Sequence, residues 1–474
     1  MNTHKQHTHD LERRLTSAQV SMIGLAGALG TGLFLGSGST IAFGGPGTIV
    51  SYLLAGMLAL IVVWEMAEMV SVHPVPGGFG AVAGAYMGPW CGFVVRWNLV
   101  ATFVIAIGAE VTAAGTYLQH WFVDMPLWIG TVACAVLIFA LNLLTVRLYG
   151  TSEYWFSMIK VTAIVVFIVL GLSLIFFGWP SPHPPTGFAN LTAHGGFAPN
   201  GIGGILIAAC ISVFSFGGLE TVAVTAAEAE HPERDVPKAA RNMIARLLLF
   251  YVLAIAVVVT LQPWDVTVNS GSEVTASPFV RVMDLVGIPA AGHIMNAILI
   301  VAALSAANGC LYTASRMIHS LALDGLAPRV AGETSGNGTP RVAIAMAAIG
   351  VVITAALAIF TPTTAFFYLS GCATIGTLVG WVFISMTHLA FRKRRASYEA
   401  RTGRSLPAAP AQLWGAPVTS WIVIVAAIAI YIALAVPMPE IWIAGIPYLA
   451  VLFGAYALVK KVRGVPRQQS LILD

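Results

Sequence analysis

Five ionisable side chains lie within or at the margins of long apolar runs: Glu65, Glu68, Glu110, Lys160 and Glu220. In hydrocarbon such a group is expensive unless it is paired, solvated or neutralised, so each must face protein or a water path. Glu220 closes the run Phe214-Ser215-Phe216-Gly217-Gly218-Leu219-Glu220, where a glycine pair sits beside a carboxylate. A second cluster places glycines at 24, 27, 30, 32, 36 and 38 of one apolar segment. Each glycine costs a helix about 1 kcal/mol relative to alanine. Close helix packing is one use for them, but packing favours spacing by four, whereas Gly30 and Gly32 flank Thr31. Unwound backbone is permitted at membrane depth only where it lines a cavity or faces protein. We read both clusters as helix breaks that offer free backbone groups to a ligand. Half-helix N-termini suit a carboxylate, and unwound carbonyls and hydroxyls suit an ammonium. A zwitterion needs both.

Glu110 follows Gly108-Ala109 deep in its apolar run, and ammonium binding, proton coupling and a structural hydrogen bond all remain open for it. Glu220 adjoins a break, where a residue that gains and loses a proton would be placed. Lys160 either snorkels to the near surface or supplies a buried, titratable positive charge in the interior, which makes it, with Glu220, a candidate for proton coupling. Glu65 and Glu68, three residues apart, are expected in a network or gate rather than on a ligand.

The elements that carry these residues follow from composition. The 474-residue chain is 58% hydrophobic and 9% charged, too little charge to cover a water-facing surface. About 20 apolar residues cross the hydrocarbon as a helix. Twelve segments qualify: 20–43, 47–70, 92–120, 127–146, 155–178, 201–226, 243–262, 289–317, 341–361, 366–390, 417–436 and 444–461. Their length and their Ala, Leu and Ile content exclude a β-barrel, whose strands are short and alternating. With the N-terminus in the cytoplasm, 23 of the 24 Lys and Arg residues fall inside or at inner helix ends, and Arg281 alone falls outside. That is the positive-inside pattern. It accounts for the +4 net charge and for the run Arg392-Lys393-Arg394-Arg395 without a nucleic-acid partner. Cys91, Cys134, Cys210, Cys310 and Cys372 lack metal-binding spacing and read as small buried hydrophobes. The polar first 19 residues are not a cleavable signal, because the apolar run after them continues for a full span.

Several motifs are diagnostic when taken together. They are Gly27-Ala-Leu-Gly30-Thr-Gly-Leu-Phe34-Leu-Gly36-Ser-Gly38, Pro76-Gly77-Gly78-Phe79, Glu153-Tyr-Trp155-Phe-Ser-Met-Ile-Lys160-Val, Phe214 to Glu220 with Ala226-Ala-Glu228 and His231-Pro232, and Ser315-Arg316-Met317 with Asp324-Gly325. On these the chain resembles bacterial amino acid permeases of the amino acid–polyamine–organocation superfamily over about residues 15–465. The resemblance implies an all-α polytopic fold of 12 transmembrane helices, a five-plus-five inverted repeat with discontinuous helices 1 and 6 and two further helices. It divides the chain into a tail (1–19), a first repeat (20–178), a second repeat (201–390), a basic loop (391–416), helices 11 and 12 (417–461) and a second tail (462–474). It also implies alternating access and proton-coupled uptake. The substrate carboxylate is expected on Gly30, Thr31 and Gly32, and the ammonium on Phe214, Ser215, Phe216 and Gly217. Lys160 is then expected near a vacant sodium position.

The expected protein is not an enzyme and uses no cofactor or metal. Its partners are an amino acid, protons and membrane lipid, in a bacterial inner membrane with both termini cytoplasmic, as a monomer or weak homodimer. The stretch Ala109 to Tyr117 is most similar to aromatic amino acid permeases, whereas parts of spans 5 and 8 are as similar to lysine permeases. Trp97-Asn98-Leu99-Val100-Ala101 departs from both. A substrate with an aromatic or other neutral side chain is favoured, with lysine or another cationic amino acid, or exchange, as alternatives.

Overall fold

The computed structural model describes residues 15–143, 146–180, 184–269, 277–335, 338–360, 365–403, 405–435 and 439–463. Lys5, Arg13, Arg14, Arg404 and Arg467 of the inside-charge pattern lie outside them. The segment expected as span 1 forms three short helices, α1 (Ser17–Ala28), α2 (Thr31–Phe34) and α3 (Gly36–Gly44). Then come α4 (Thr48–Val72), α5 (Gly78–Met87), α6 (Pro89–Gln119), α7 (Leu127–Asn142) and α8 (Val146–Phe177). The expected span 6 begins as α9 (Gly201–Ser212), tightens into a 3₁₀ turn over Val213–Phe216, and resumes as α10 (Thr221–Thr225). After it run α11 (Pro232–Leu261), α12 (Trp264–Asn269), α13 (Pro278–Leu285), α14 (Ala291–Leu323), α15 (Arg341–Phe360), α16 (Ala365–Thr402), α17 (Val418–Ala433) and α18 (Pro439–Arg463).

The protein is an all-α polytopic membrane protein. Among the described residues, seven helical segments are long and apolar enough to cross a bilayer, and Leu127–Asn142, Arg341–Ile353 and Val418–Ala433 are shorter apolar helices. Val136, Val169, Ile353 and Val425 stand exposed on the outer faces of these helices. Apolar surface on that scale has no place in water and is what lipid would cover.

Helix α6 is the central post, packed along α14 and α16 and touching α5, α7, α15 and α18. Three of its threonines are satisfied within the helix. Thr102, Thr112 and Thr116 each donate to the carbonyl four residues back, at 2.7, 2.7 and 3.1 Å. Such back-bonding lets hydroxyls occupy an apolar span without stranding a donor. Two features differ from the sequence expectation. A short helix, α5, fills the Gly77–Gly88 region, opened by Gly77 in the left-handed region (φ +89°). Helix α16 also continues through the basic run Arg392–Arg395 to Thr402, because straight-chain and charged residues propagate a helix that has already started.

Candidate functional site

The two glycine clusters meet. Gly218, at φ +93°, is so close to α1 that a Cβ on it would lie 2.3 Å from the Gly27 carbonyl oxygen. A Cβ on Gly32 would lie 2.7 Å from Ser215 Cα. Bare backbone packed on bare backbone explains the glycines at both positions.

At the first break, Ala28 ends α1 and Thr31 opens α2, with Gly30 extended between them (φ −110°, ψ −164°). The freed Thr31 N–H donates to both carboxylate oxygens of Glu110, each at 3.2 Å. The freed Leu29 carbonyl accepts from Lys160 Nζ at 3.2 Å. One break therefore presents a donor to an acid and an acceptor to an amine, each drawn from a different neighbouring helix. Lys160 sits on the same face of α8 as Glu153, two turns earlier. Glu153 is fully buried and accepts from Ser305 Oγ at 2.7 Å and from Asn308 Nδ2. Asn142 Nδ2 in turn donates to Asn308 Oδ1 at 2.6 Å, joining α7, α8 and α14.

At the second break, Glu220 turns back on its own loop. Its carboxylate accepts from Gly218 N–H at 3.1 Å and from Trp381 Nε1 at 3.3 Å. Ser215 is clasped from two sides: Tyr251 donates to its carbonyl at 2.8 Å, and the Tyr52 hydroxyl is 3.1 Å from its Oγ.

Between the breaks lies a cavity of about 30 Å³. That is room for water but not for an aromatic side chain. Of the residues predicted from the sequence, Gly30, Gly32, Glu110, Phe214, Ser215 and Gly217 line it. Thr31, Phe216, Glu220 and Lys160 are not among the lining residues. Thr31 reaches the site through its N–H on Glu110. Phe216 packs the other way, against Tyr251 (4.9 Å between centroids). Glu220 and Lys160 stand behind the two breaks. Gly27 and Gly218 of the two breaks line it as well; Thr102, Phe103, Ala106, Cys310, Ala373 and Thr377 complete the lining, and sequence reasoning missed them. A second small cavity shares Gly32, Phe214 and Ser215 and extends to Ser39 and Phe366. Phe214 meets Phe366 edge-on at 6.2 Å, so one aromatic pair stands where the two spaces adjoin.

The end of the bundle that carries the basic residues is closed by two sets of contacts. Leu15 N–H donates to the Glu228 carbonyl (3.0 Å) and Glu230 N–H to the Leu15 carbonyl (3.1 Å). Beneath them Arg316 Nε donates to Glu228 Oε1 at 3.0 Å and its guanidinium covers the Tyr312 ring at 3.7 Å. Nearby, Arg96 pairs with Asp324 at 2.7 Å and donates to Ser320 Oγ at 2.8 Å.

Glu65 and Glu68 do stand in a network, as expected. Ser385 Oγ donates to Glu65 Oε2 at 2.6 Å, and Arg392 holds both Glu68 oxygens at 2.9 and 2.7 Å. His388 lies between the two acids, 3.8 Å from Glu65 and 3.1 Å from Glu68. The pairs 65/68 and 388/392 each share a helix face, a signal the sequence did carry. Just beyond α4, His73 is 2.9 Å from the Tyr86 hydroxyl. Burial first, and the nearby Arg395 second, push its imidazole down to about 4. A folded value below the unfolded one means that the unfolded chain binds the extra proton between about pH 6.5 and 4. This contribution to stability is present at neutral pH and lost as pH falls through that window. His73→Gln is expected to flatten the fall in melting temperature of the detergent-solubilised protein over that range. An unchanged slope would count against the assignment.

Two glycine-broken segments enclosing a small cavity, within a set of helices with exposed apolar faces, are the architecture of a membrane transport protein. The chain belongs to the amino acid permease family, whose pattern it matches over residues 19–458. It is 37% identical over 430 residues to the gamma-aminobutyric acid permease of Bacillus subtilis, spanning 91% of this chain and 89% of that one. It is 36% identical to the aromatic amino acid transport protein AroP of Escherichia coli O157:H7, over 96% of this chain and 97% of that one. An uncharacterized amino acid permease of B. subtilis, YvbW, is also 36% identical over 90% of this chain.

Proposed function

We propose that the protein imports an L-amino acid with a neutral, aromatic side chain, driven by protons and by alternating access at the cavity between the two breaks. In this reading the chain has twelve spans with both termini cytoplasmic. The segments 17–44 and 201–228 are discontinuous helices 1 and 6 of a five-plus-five inverted repeat. The observation that carries it is the Thr31 N–H held by both Glu110 oxygens. The acid occupies a donor suited to a substrate carboxylate. An arriving α-carboxylate displaces it, and the freed Glu110 turns to the α-ammonium. Gly30, Gly32 and the carbonyls around Phe214, Ser215 and Gly217 complete the cradle, and the side chain displaces the Phe214 ring. Glu220 carries the coupled proton, released or taken as the Gly218 loop moves. Lys160 holds the Leu29 carbonyl with a positive charge that needs no bound cation. Similarity to AroP favours an aromatic substrate.

The test is uptake by proteoliposomes of labelled phenylalanine, tyrosine, lysine and γ-aminobutyrate, with and without an inward proton gradient. Saturable, gradient-driven accumulation of an aromatic amino acid is expected. Flux that ignores the gradient and requires internal amino acid would replace symport with exchange. Accumulation of lysine or γ-aminobutyrate alone would move the substrate class.

A further inference from the structure

No part of the proposed substrate site uses the stretch Trp97–Ala101. Trp97 and Ala101 instead line a separate hollow of about 520 Å³ between α6, α18 and the connection after α14. Its walls are apolar, formed chiefly by Phe93, Trp97, Leu326, Pro328, Leu452 and Val459. Fixed contacts hold it open at either end. Trp90 stacks on Phe453 at 5.6 Å and Phe93 meets Tyr456 at 5.5 Å on one side. On the other, the Tyr448 hydroxyl donates to Asn98 Oδ1 at 2.8 Å.

Two further observations say what fills it. The Trp97 Nε1–H is buried without a hydrogen-bond acceptor among the described residues. A buried donor left unpaired is destabilising, and a purely apolar occupant would leave the defect in place. Along the chain the wall residues are followed by cations: Arg329 follows Pro328, and Lys460 and Lys461 follow Val459, all three exposed. None of them forms an ion pair among the described residues. Apolar walls, a buried donor and a basic rim at one end match a molecule with a hydrocarbon chain, an ester carbonyl and a negative head.

We propose that the hollow is a binding site for an anionic phospholipid of the cytoplasmic leaflet. The leaflet is named from the orientation proposed above; the ligand chemistry does not depend on it. An acyl chain lies between α6 and α18, an ester carbonyl accepts from Trp97 Nε1, and the phosphate rests on Arg329, Lys460 and Lys461. The site adjoins the transport machinery through Asn98, whose Nδ2 donates to the Gly376 carbonyl at 2.8 Å. The next residue, Thr377, lines the substrate cavity.

The experiment is native mass spectrometry of the delipidated full-length protein titrated with phosphatidylglycerol or phosphatidylcholine. Tighter binding of phosphatidylglycerol is expected. Loss of each cation, as Arg329→Gln, Lys460→Gln or Lys461→Gln, is expected to weaken it about fivefold. Trp97→Phe, which keeps the ring and loses the N–H, is expected to weaken both lipids by a similar factor. The lysine variants are on an exposed helix end, so they keep the test decisive if Trp97→Phe fails to fold. Equal affinity for the two lipids with no response to the cation variants would overturn the proposal. So would disulfide-linked dimers formed by Ala455→Cys in phosphatidylglycerol membranes, which would assign the hollow to a second copy of the chain.

Discussion

Gly218→Ala is expected to abolish amino acid uptake. Two independent costs fall on one methyl group. At φ +93° an L side chain is strained by roughly 1–2 kcal/mol. The added carbon would also lie 2.3 Å from the Gly27 carbonyl oxygen and 2.7 Å from its carbon, and neither atom belongs to a side chain that can swing away. The two broken segments must then separate, and the cavity they enclose is lost. Gly203→Ala is the matching control, because nothing lies within 4 Å of a Cβ there and its φ is ordinary. Proteoliposome uptake with size-exclusion profiles in detergent measures both variants. Full transport by Gly218→Ala would mean that the two breaks do not need their close approach.

Glu220→Gln is expected to remove gradient-driven accumulation by at least tenfold while leaving the fold intact. Both partners of the carboxylate, Gly218 N–H and Trp381 Nε1–H, are donors. An amide brings only one acceptor and turns its own NH₂ toward a donor, and it cannot take up or release the coupled proton. If the proton role is right, substrate exchange across a membrane without a gradient survives better than accumulation does. Wild-type accumulation by Glu220→Gln would show that the charge is dispensable. Equal loss of exchange and accumulation would make the residue a structural one.

Much of this was legible because lipid removes the usual reasons for polar residues and glycines. Gly30, Gly217 and Gly218 stand out as members of glycine clusters inside apolar runs, and Glu110 and Lys160 as charges deep in such runs that need partners. The partners were less legible. Trp381, Tyr52 and Tyr251 hold Glu220 and Ser215, but an aromatic residue in an apolar run has the same signature whether it packs or donates a hydrogen bond. The role of Glu153 is not legible in the sequence, since its partners Ser305 and Asn308 lie about 150 residues away and no local pattern joins them. Cavity-lining Ala106, Cys310 and Ala373 carry no chemical mark. Helix boundaries differed where sequence is ambiguous: Gly77–Gly88 looks like a loop, and the basic run after Phe391 looks like the end of a helix that in fact continues.

The clasp on Ser215 has a consequence for how the parts can move. Its hydroxyl is tied to α4 through Tyr52 and its carbonyl to α11 through Tyr251. Both ties are buried, and breaking either exposes a polar group to hydrocarbon at a cost of about 1–3 kcal/mol. A tilt of the kinked segment alone is therefore dearer than a tilt that carries α4 and α11 along. The bend and the two long helices that grip it are thus tied as a yoke is to its pair, and a turn of the one is expected to carry the others.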